Sequence, residues 1–134
     1  MRLPVPLRVL IADDSAVVRQ LLADRLGDLS DVEVVGIAVD GAEAVDQAVA
    51  VRPEVVLLDL QMPRMSGLQA LRTIREQAPE VRVIVLTNHA DSVYRRTCLA
   101  AGAMDFLDKS GDLDDLDATL LALAPSAGGA APEA

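Results

Sequence analysis

The sequence predicts a doubly wound α/β fold, and three observations carry that prediction. Short runs rich in Val, Ile and Leu recur along the chain, each followed by a stretch with helical spacing. The runs show no apolar/polar alternation, as expected of parallel strands covered on both faces. Chemistry-bearing residues stand at the ends of these runs: Asp13 and Asp14, Asp59, Thr87 and Lys109. In an open parallel sheet, ligands bind at the carboxyl ends of the strands. Three carboxylates, a hydroxyl and an ammonium are therefore expected in one crevice.

The elements follow in order. Leu7 to Ala12 reads as the first strand. A helix follows from Ser15 to Leu26, with Val17, Val18, Leu21, Leu22 and Arg25 at helical spacing and Gly27 at its end. Residues 33–39 form the second strand. Asp40-Gly41-Ala42-Glu43 opens the next helix like a capping box, with Ala44, Val45, Ala48 and Val49 as its apolar positions. Pro53 blocks its continuation. The third strand spans 54–59, and the third helix spans Gly67 to Gln77 with Leu68, Leu71 and Ile74 inward. A fourth strand at 81–87 precedes a short helix from Ser92 to Ala101, ended by Gly102. A fifth strand at 103–107 leads to a helix starting near Asp112. Leu113, Leu116, Leu120 and Leu121 line one of its faces, and Asp112, Asp114, Asp115 and Asp117 lie mostly on the other.

Parallel strands joined by helices need right-handed crossovers. Five strands are too few for an eight-stranded barrel. The flavodoxin-like order 2-1-3-4-5 fits best, and its switch point lies between the two strands that carry the aspartates. One domain over residues 1–124 is expected. Residues 125–134, rich in Ala, Gly and Pro, read as a flexible tail or truncated linker.

Composition narrows the function. A length of 134 residues and 51% hydrophobic content suit one domain with its own core. The net charge of −9 argues against direct contact with nucleic acid, whose phosphates attract basic faces. Tyr94 and Phe106 are the only aromatic residues, so no base-stacking platform is available. Cys98 is the single cysteine and His89 the single histidine, which leaves no zinc-type cluster. No apolar stretch reaches membrane-spanning length, and the N-terminus lacks a signal-peptide pattern. A cytoplasmic protein is the expectation.

The crevice chemistry points to phosphate. Two unit charges ~4 Å apart repel by about 4 kcal/mol at an effective dielectric of 20. Three clustered carboxylates therefore call for a cation. All-oxygen donors suit Mg²⁺, which retains waters and recruits phosphate oxygens. Lys109 would supply a fixed positive charge and Thr87 a hydroxyl donor. Asp59 is then the natural nucleophile, forming an aspartyl phosphate. Gln61 could offer its backbone carbonyl to the metal. Met62-Pro63 and Ser66-Gly67 make an ordered loop beside the site.

The chain resembles response-regulator receiver domains of two-component signalling. The resemblance rests on Val9 to Ser15, Leu57 to Gly67, Leu86-Thr87 and Gly102 to Lys109, and extends over about residues 7 to 123. It implies that Asp13 and Asp14 form the acidic metal-site pair with Asp59 and the Gln61 carbonyl, for Mg²⁺ or Mn²⁺. It implies that Asp59 accepts phosphate from a phosphohistidine on a sensor histidine kinase or histidine phosphotransfer protein. Thr87 and Lys109 would engage the phosphoryl group, and Phe106 would turn inward as Thr87 moves. The face of helix 4, strand 5 and helix 5 would then be remodelled for a downstream partner or for dimerisation. Such a domain is a phosphoacceptor rather than an enzyme acting on a separate substrate.

Three departures from the family pattern concern four positions. Ser110 replaces the usual proline after a cis bond; a cis bond before serine costs ~2.5–4 kcal/mol, so a different loop geometry is expected. Asn88 stands where a very small residue is usual and would narrow access. Gln61 and His89 occupy positions that tune dephosphorylation in similar proteins.

Other readings compete. Asp14-Ser15 could be only a helix cap, and Phe106 only a core residue. An Asp-nucleophile phosphohydrolase would need a second carboxylate where Gln61 stands. A flavin carrier would need a phosphate loop after strand 1, where Asp13-Asp14 would repel phosphate. The output has two readings as well. One is a single-domain, chemotaxis-type regulator. The other is the receiver part of a larger effector such as a chemotaxis methylesterase, because Asp13 to Gln20 resembles those receivers.

Overall fold

The computed structural model describes residues 5–88 and 91–124. Five strands alternate with five helices: β1 (Leu7–Ala12), α1 (Ala16–Gly27), β2 (Val32–Ala38), α2 (Gly41–Val51), β3 (Val55–Leu58), α3 (Gly67–Gln77), β4 (Arg82–Thr87), α4 (Ser92–Ala100), β5 (Asp105–Asp108) and α5 (Leu113–Leu123). The strands form one sheet in the order β2-β1-β3-β4-β5, and every pairing is parallel. The expected order is observed. The segment 125–134 and His89 lie outside the described residues.

Alternation along each strand divides the core in two. Leu10, Ala12, Val56, Leu58, Val83, Val85 and Phe106 face Ala44, Val45 and Ala48 of α2, Ala70, Leu71 and Ile74 of α3, and Cys98 of α4. Leu7, Val9, Ile11, Val55, Leu57, Ile84, Leu86 and Leu107 face Leu22 and Leu26 of α1 and Leu116 and Leu120 of α5. Both faces of the sheet are covered, which explains the uninterrupted apolar strands.

Several local readings are corrected. In α1 only Leu22 and Leu26 are fully buried, while Val17 and Leu21 are exposed. One narrow stripe touches the sheet, and the other apolar residues of α1 fall outside it. Gly27 keeps a negative φ, and the cap that follows is Asp28 in right-handed conformation. Leu121 of α5 is likewise exposed. At α2 the Asp40 carboxylate accepts from the Glu43 N–H (2.8 Å), but Glu43 Oε1 accepts from the Val39 N–H rather than from Asp40. A full capping box forms instead at α3, between Ser66 and Gln69. β5 begins at Asp105 instead of residue 103 and runs one residue further, to Asp108.

Candidate functional site

The sheet's register places the site. The Asp13 N–H donates to the Ala38 carbonyl (3.0 Å), and the Asp59 N–H donates to the Ala12 carbonyl (2.9 Å). The residues just past β1 and β3 are thereby pinned side by side at the switch point. The Lys109 N–H donates to the Thr87 carbonyl (3.0 Å), so the ends of β4 and β5 meet beside them. Four strand ends converge as the sequence predicts.

A cleft of about 230 Å³ opens there, lined by Asp13, Asp14, Ser15, Val18, Asp59, Gln61, Asn88 and Lys109. Asp13 and Asp59 are buried and Asp14 is exposed. Carboxylate oxygens of these three aspartates lie within 4.8 Å of one another. Lys109 Nζ is 2.5 Å from Asp13 Oδ2 and 3.3 Å from Asp59 Oδ1. Backbone donors complete the setting. Ser15 N–H donates to Asp13 Oδ1 (2.9 Å) and Gln61 N–H donates to Asp59 Oδ1 (3.3 Å).

Burial raises the Asp59 pKa above the ordinary aspartate range, and the neighbouring Asp13 charge raises it further. Lys109 and the Gln61 N–H oppose the shift only in part. The carboxylate is thus short of positive charge. An all-oxygen, three-carboxylate donor set fits Mg²⁺ or Mn²⁺, which favour such hard ligands. Asp13, Asp14 and Asp59 would hold the ion, with the Gln61 backbone alongside.

The remaining expected residues fall as follows. Thr87 is fully buried and does not line the cleft. Phe106 is buried in the core on the α2–α3–α4 side. Asn88 does line the cleft. Ser15 caps α1 through its Oγ, which accepts from Val18 N–H (3.2 Å), so capping by Ser15 coexists with Asp14 in the cleft.

Among the described residues there is no cis peptide bond, so the Lys109–Ser110 bond is trans. Ser110 N–H and Oγ both donate to Asp108 Oδ1, at 2.8 and 2.6 Å. These bonds hold the Asp108 pKa below the ordinary range. Asp112 Oδ2 accepts from the Asp108 N–H (2.9 Å), closing the loop from the other side. Side-chain hydrogen bonds of Asp and Ser thus shape the loop that carries Lys109.

Sequence reasoning missed two contributors. Arg19 Nη1 donates to the Asp13 carbonyl (2.8 Å), tying the first turn of α1 to the acidic pair. Arg64 pairs with Asp40 across the loop after Asp59. Arg19 had a signal in its position one turn after the acidic pair; Arg64 had none.

A parallel five-stranded sheet whose β1 and β3 ends carry paired acids, with a lysine after β5, defines a member of the flavodoxin-like class with an acidic cleft at its switch point. Comparison with known proteins makes this specific. Residues 9–121 match the model of the response regulator receiver domain, and the chain belongs to that family. A protein-glutamate methylesterase/protein-glutamine glutaminase of Thermotoga maritima is 40% identical over 105 residues, which are 77% of this chain and 30% of that protein. One from Moorella thermoacetica is 41% identical over 114 residues, 84% of this chain and 27% of that protein. The chain therefore spans less than a third of the length of these relatives. The crystal structure of the response regulator domain of Thermotoga maritima CheB superposes with a TM-score of 0.78 at 32% identity, covering 95% of this chain and 99% of that one. The receiver domain of the putative regulator NarL from Mycobacterium tuberculosis gives 0.84 at 32% identity, covering 90% and 98%. A Borrelia burgdorferi CheX–CheY–BeF3–Mg complex gives 0.80 at 28% identity, covering 89% and 90%.

This chain is accordingly a response-regulator receiver domain. Among the described residues no helix is long and apolar enough to cross a membrane.

Proposed function

We propose that Asp59 accepts a phosphoryl group from a phosphohistidine on a sensor histidine kinase or histidine phosphotransfer protein. One observation carries the proposal. A buried carboxylate lies in a cleft with two further aspartates and has a lysine ammonium 3.3 Å away. An Asp59 oxygen bonds to phosphorus while the phosphorus–nitrogen bond breaks. The departing imidazole nitrogen keeps the electron pair and takes up a proton. Loss of the group is the reverse in kind: water attacks phosphorus, Asp59 leaves as carboxylate, and inorganic phosphate is released. A divalent ion at Asp13, Asp14, Asp59 and the Gln61 carbonyl supplies charge neutralisation when bound. Lys109 adds a fixed charge, and desolvation of Asp59 leaves its carboxylate more nucleophilic than a solvated one.

The output side of the proposal is a shift between two packings. Phosphorylation adds charge and acceptor oxygens at Asp59. Thr87 and Lys109 are drawn to them, and Phe106 reports the population shift. The α4–β5–α5 face is suited to a protein contact, because Val93, Tyr94, Leu99, Met104 and Leu121 are exposed on and beside these elements.

A second reading concerns the protein to which the domain contributes. Its similarity to methylesterase receivers favours control of an attached effector domain, with chemotaxis as the pathway. On this reading the receiver's own chemistry is limited to gaining and losing phosphate, in the cytoplasm. A phosphohydrolase is not favoured, because Gln61 faces the cleft where that chemistry requires an acid. The test is transfer of labelled phosphate from a phosphorylated kinase to the wild-type chain and to Asp59→Asn. Label on the wild type alone is expected. Equal label on both would remove Asp59 from its role.

A further inference from the structure

The loop between β3 and α3 contains a backbone feature that the proposed phosphotransfer does not itself require. Met65 N–H donates to the Pro63 carbonyl (2.7 Å), closing a three-residue γ-turn. Arg64 is its central residue and has φ 67°. A γ-turn with positive central φ is the rare, strained form, and arginine carries a Cβ that disfavours it. Such strain persists only where surrounding contacts over-determine it, and it concentrates at functional sites.

The contacts that impose it are visible. The Arg64 guanidinium forms an ion pair with Asp40 Oδ2. Asp40 is buried and caps α2, and its pKa is held low by the Glu43 N–H first and by Arg64 second. The same stretch of chain abuts the start of α2, where a Cβ on Gly41 would lie 2.1 Å from the Met65 carbonyl oxygen. At the loop's base, the Gly67 N–H donates to the Leu60 carbonyl (3.0 Å). The span thus clamped contains Gln61, whose N–H donates to Asp59 and whose side of the loop lines the cleft.

We infer that Arg64 and Asp40 are positioning residues for the phosphorylation site: their ion pair holds a strained turn that fixes the Gln61 backbone against Asp59 and so sets the affinity for the divalent cation. Neither residue lines the cleft. The inference rests on the proposed metal-dependent role of Asp59.

Two substitutions separate positioning from stability. Arg64→Gly suits the positive φ and removes the clamp. Asp40→Asn keeps the helix cap, since its amide oxygen still accepts from Glu43 N–H, but its nitrogen cannot accept from Arg64. Mg²⁺ binding is measured by titration calorimetry and thermal unfolding by circular dichroism. Arg64→Gly relieves the turn but leaves the buried Asp40 carboxylate without its cation, so a lower unfolding temperature is expected together with about tenfold weaker Mg²⁺ binding, the effect typical of losing an outer-shell support. Asp40→Asn should weaken Mg²⁺ to a similar extent. Wild-type Mg²⁺ affinity in either variant would overturn the inference, as would a loss of affinity in Asp40→Asn, which leaves no unpaired buried charge, matched by a lower unfolding temperature. If the wild-type chain itself bound no Mg²⁺, the reading of the whole site would fall first, which is a distinguishable result.

Discussion

Lys109 Nζ stands closer to Asp13 than to Asp59, at 2.5 against 3.3 Å. The lysine therefore neutralises the acid of the metal-site pair more than the acceptor. A cation entering the cleft competes with it for Asp13. This competition gives a direct consequence for stability. Lys109→Ala leaves two buried carboxylates without their cation. The cost expected is about 1–3 kcal/mol, somewhat below that of a fully enclosed pair because the cleft opens to solvent. Added Mg²⁺ should restore most of it. Chemical unfolding with and without Mg²⁺ measures both quantities, and a deficit that Mg²⁺ leaves unchanged would mean that the ion does not take over the neutralising role.

The Asp59 charge is itself a burden on the fold. Its pKa is raised in the native state above the ordinary value of 3.8. The native state then binds more protons than the unfolded chain between the two values, so stability falls as pH rises through that window. The cost is fully present above the native pKa and absent below 3.8. Asp59→Asn should therefore be more stable than wild type at neutral pH, and the difference should vanish on acidification below about 4. Unfolding curves across pH test the sign. Greater stability of the wild type at neutral pH without metal would contradict it.

Close packing links the acceptor strand to α3. A Cβ at Gly67 would lie 2.2 Å from the Asp59 carbonyl oxygen. No rotamer can relieve a clash with backbone, so Gly67→Ala must displace the chain at Asp59. A loss of about 2–3 kcal/mol is expected from such overpacking, together with weaker Mg²⁺ binding. Parallel denaturation and calorimetry would show it; unchanged values for both would mean that the loop yields freely.

The acidic face of α5 is partly committed within the molecule. Arg25 of α1 donates through Nε to Asp117 (3.0 Å) and through Nη2 to Asp114 (2.8 Å). The Asp114 side chain is fully exposed and that of Asp117 only 27% exposed. Screening by solvent makes the exposed contact weak. Asp117→Ala should therefore destabilise more than Asp114→Ala, and salt should erase the Asp114 effect first. A thermal-shift series in NaCl checks the order.

Legibility differed by residue for physical reasons. Asp13, Asp14, Asp59 and Lys109 were readable because strand periodicity dictates where strands end, and a parallel sheet gathers those ends. The strand order followed from the same pattern. The inward stripe of α1 was not readable: Val17, Leu21, Leu22 and Leu26 are all apolar, and only sheet geometry decides which are covered. The trans Lys109–Ser110 bond was foreshadowed by the serine, but not the Asp108–Ser110–Asp112 bonding that shapes the loop. Arg64 was invisible, because a positive φ at a residue with a Cβ is imposed by tertiary contacts and leaves no local signature. Thr87 was placed at the right strand end, while its burial outside the cleft depends on packing between β4 and its neighbours.

Phosphorylation of Asp59 can be read out covalently. The wild-type chain is treated with an acyl phosphate donor and Mg²⁺, reduced with borohydride, and mapped by peptide mass spectrometry. Reduction of an aspartyl phosphate converts that residue to homoserine. Homoserine is expected at position 59 only, dependent on Mg²⁺ and absent from Asp59→Asn. Conversion at another aspartate, or none at all with Mg²⁺ present, would contradict Asp59 as the acceptor.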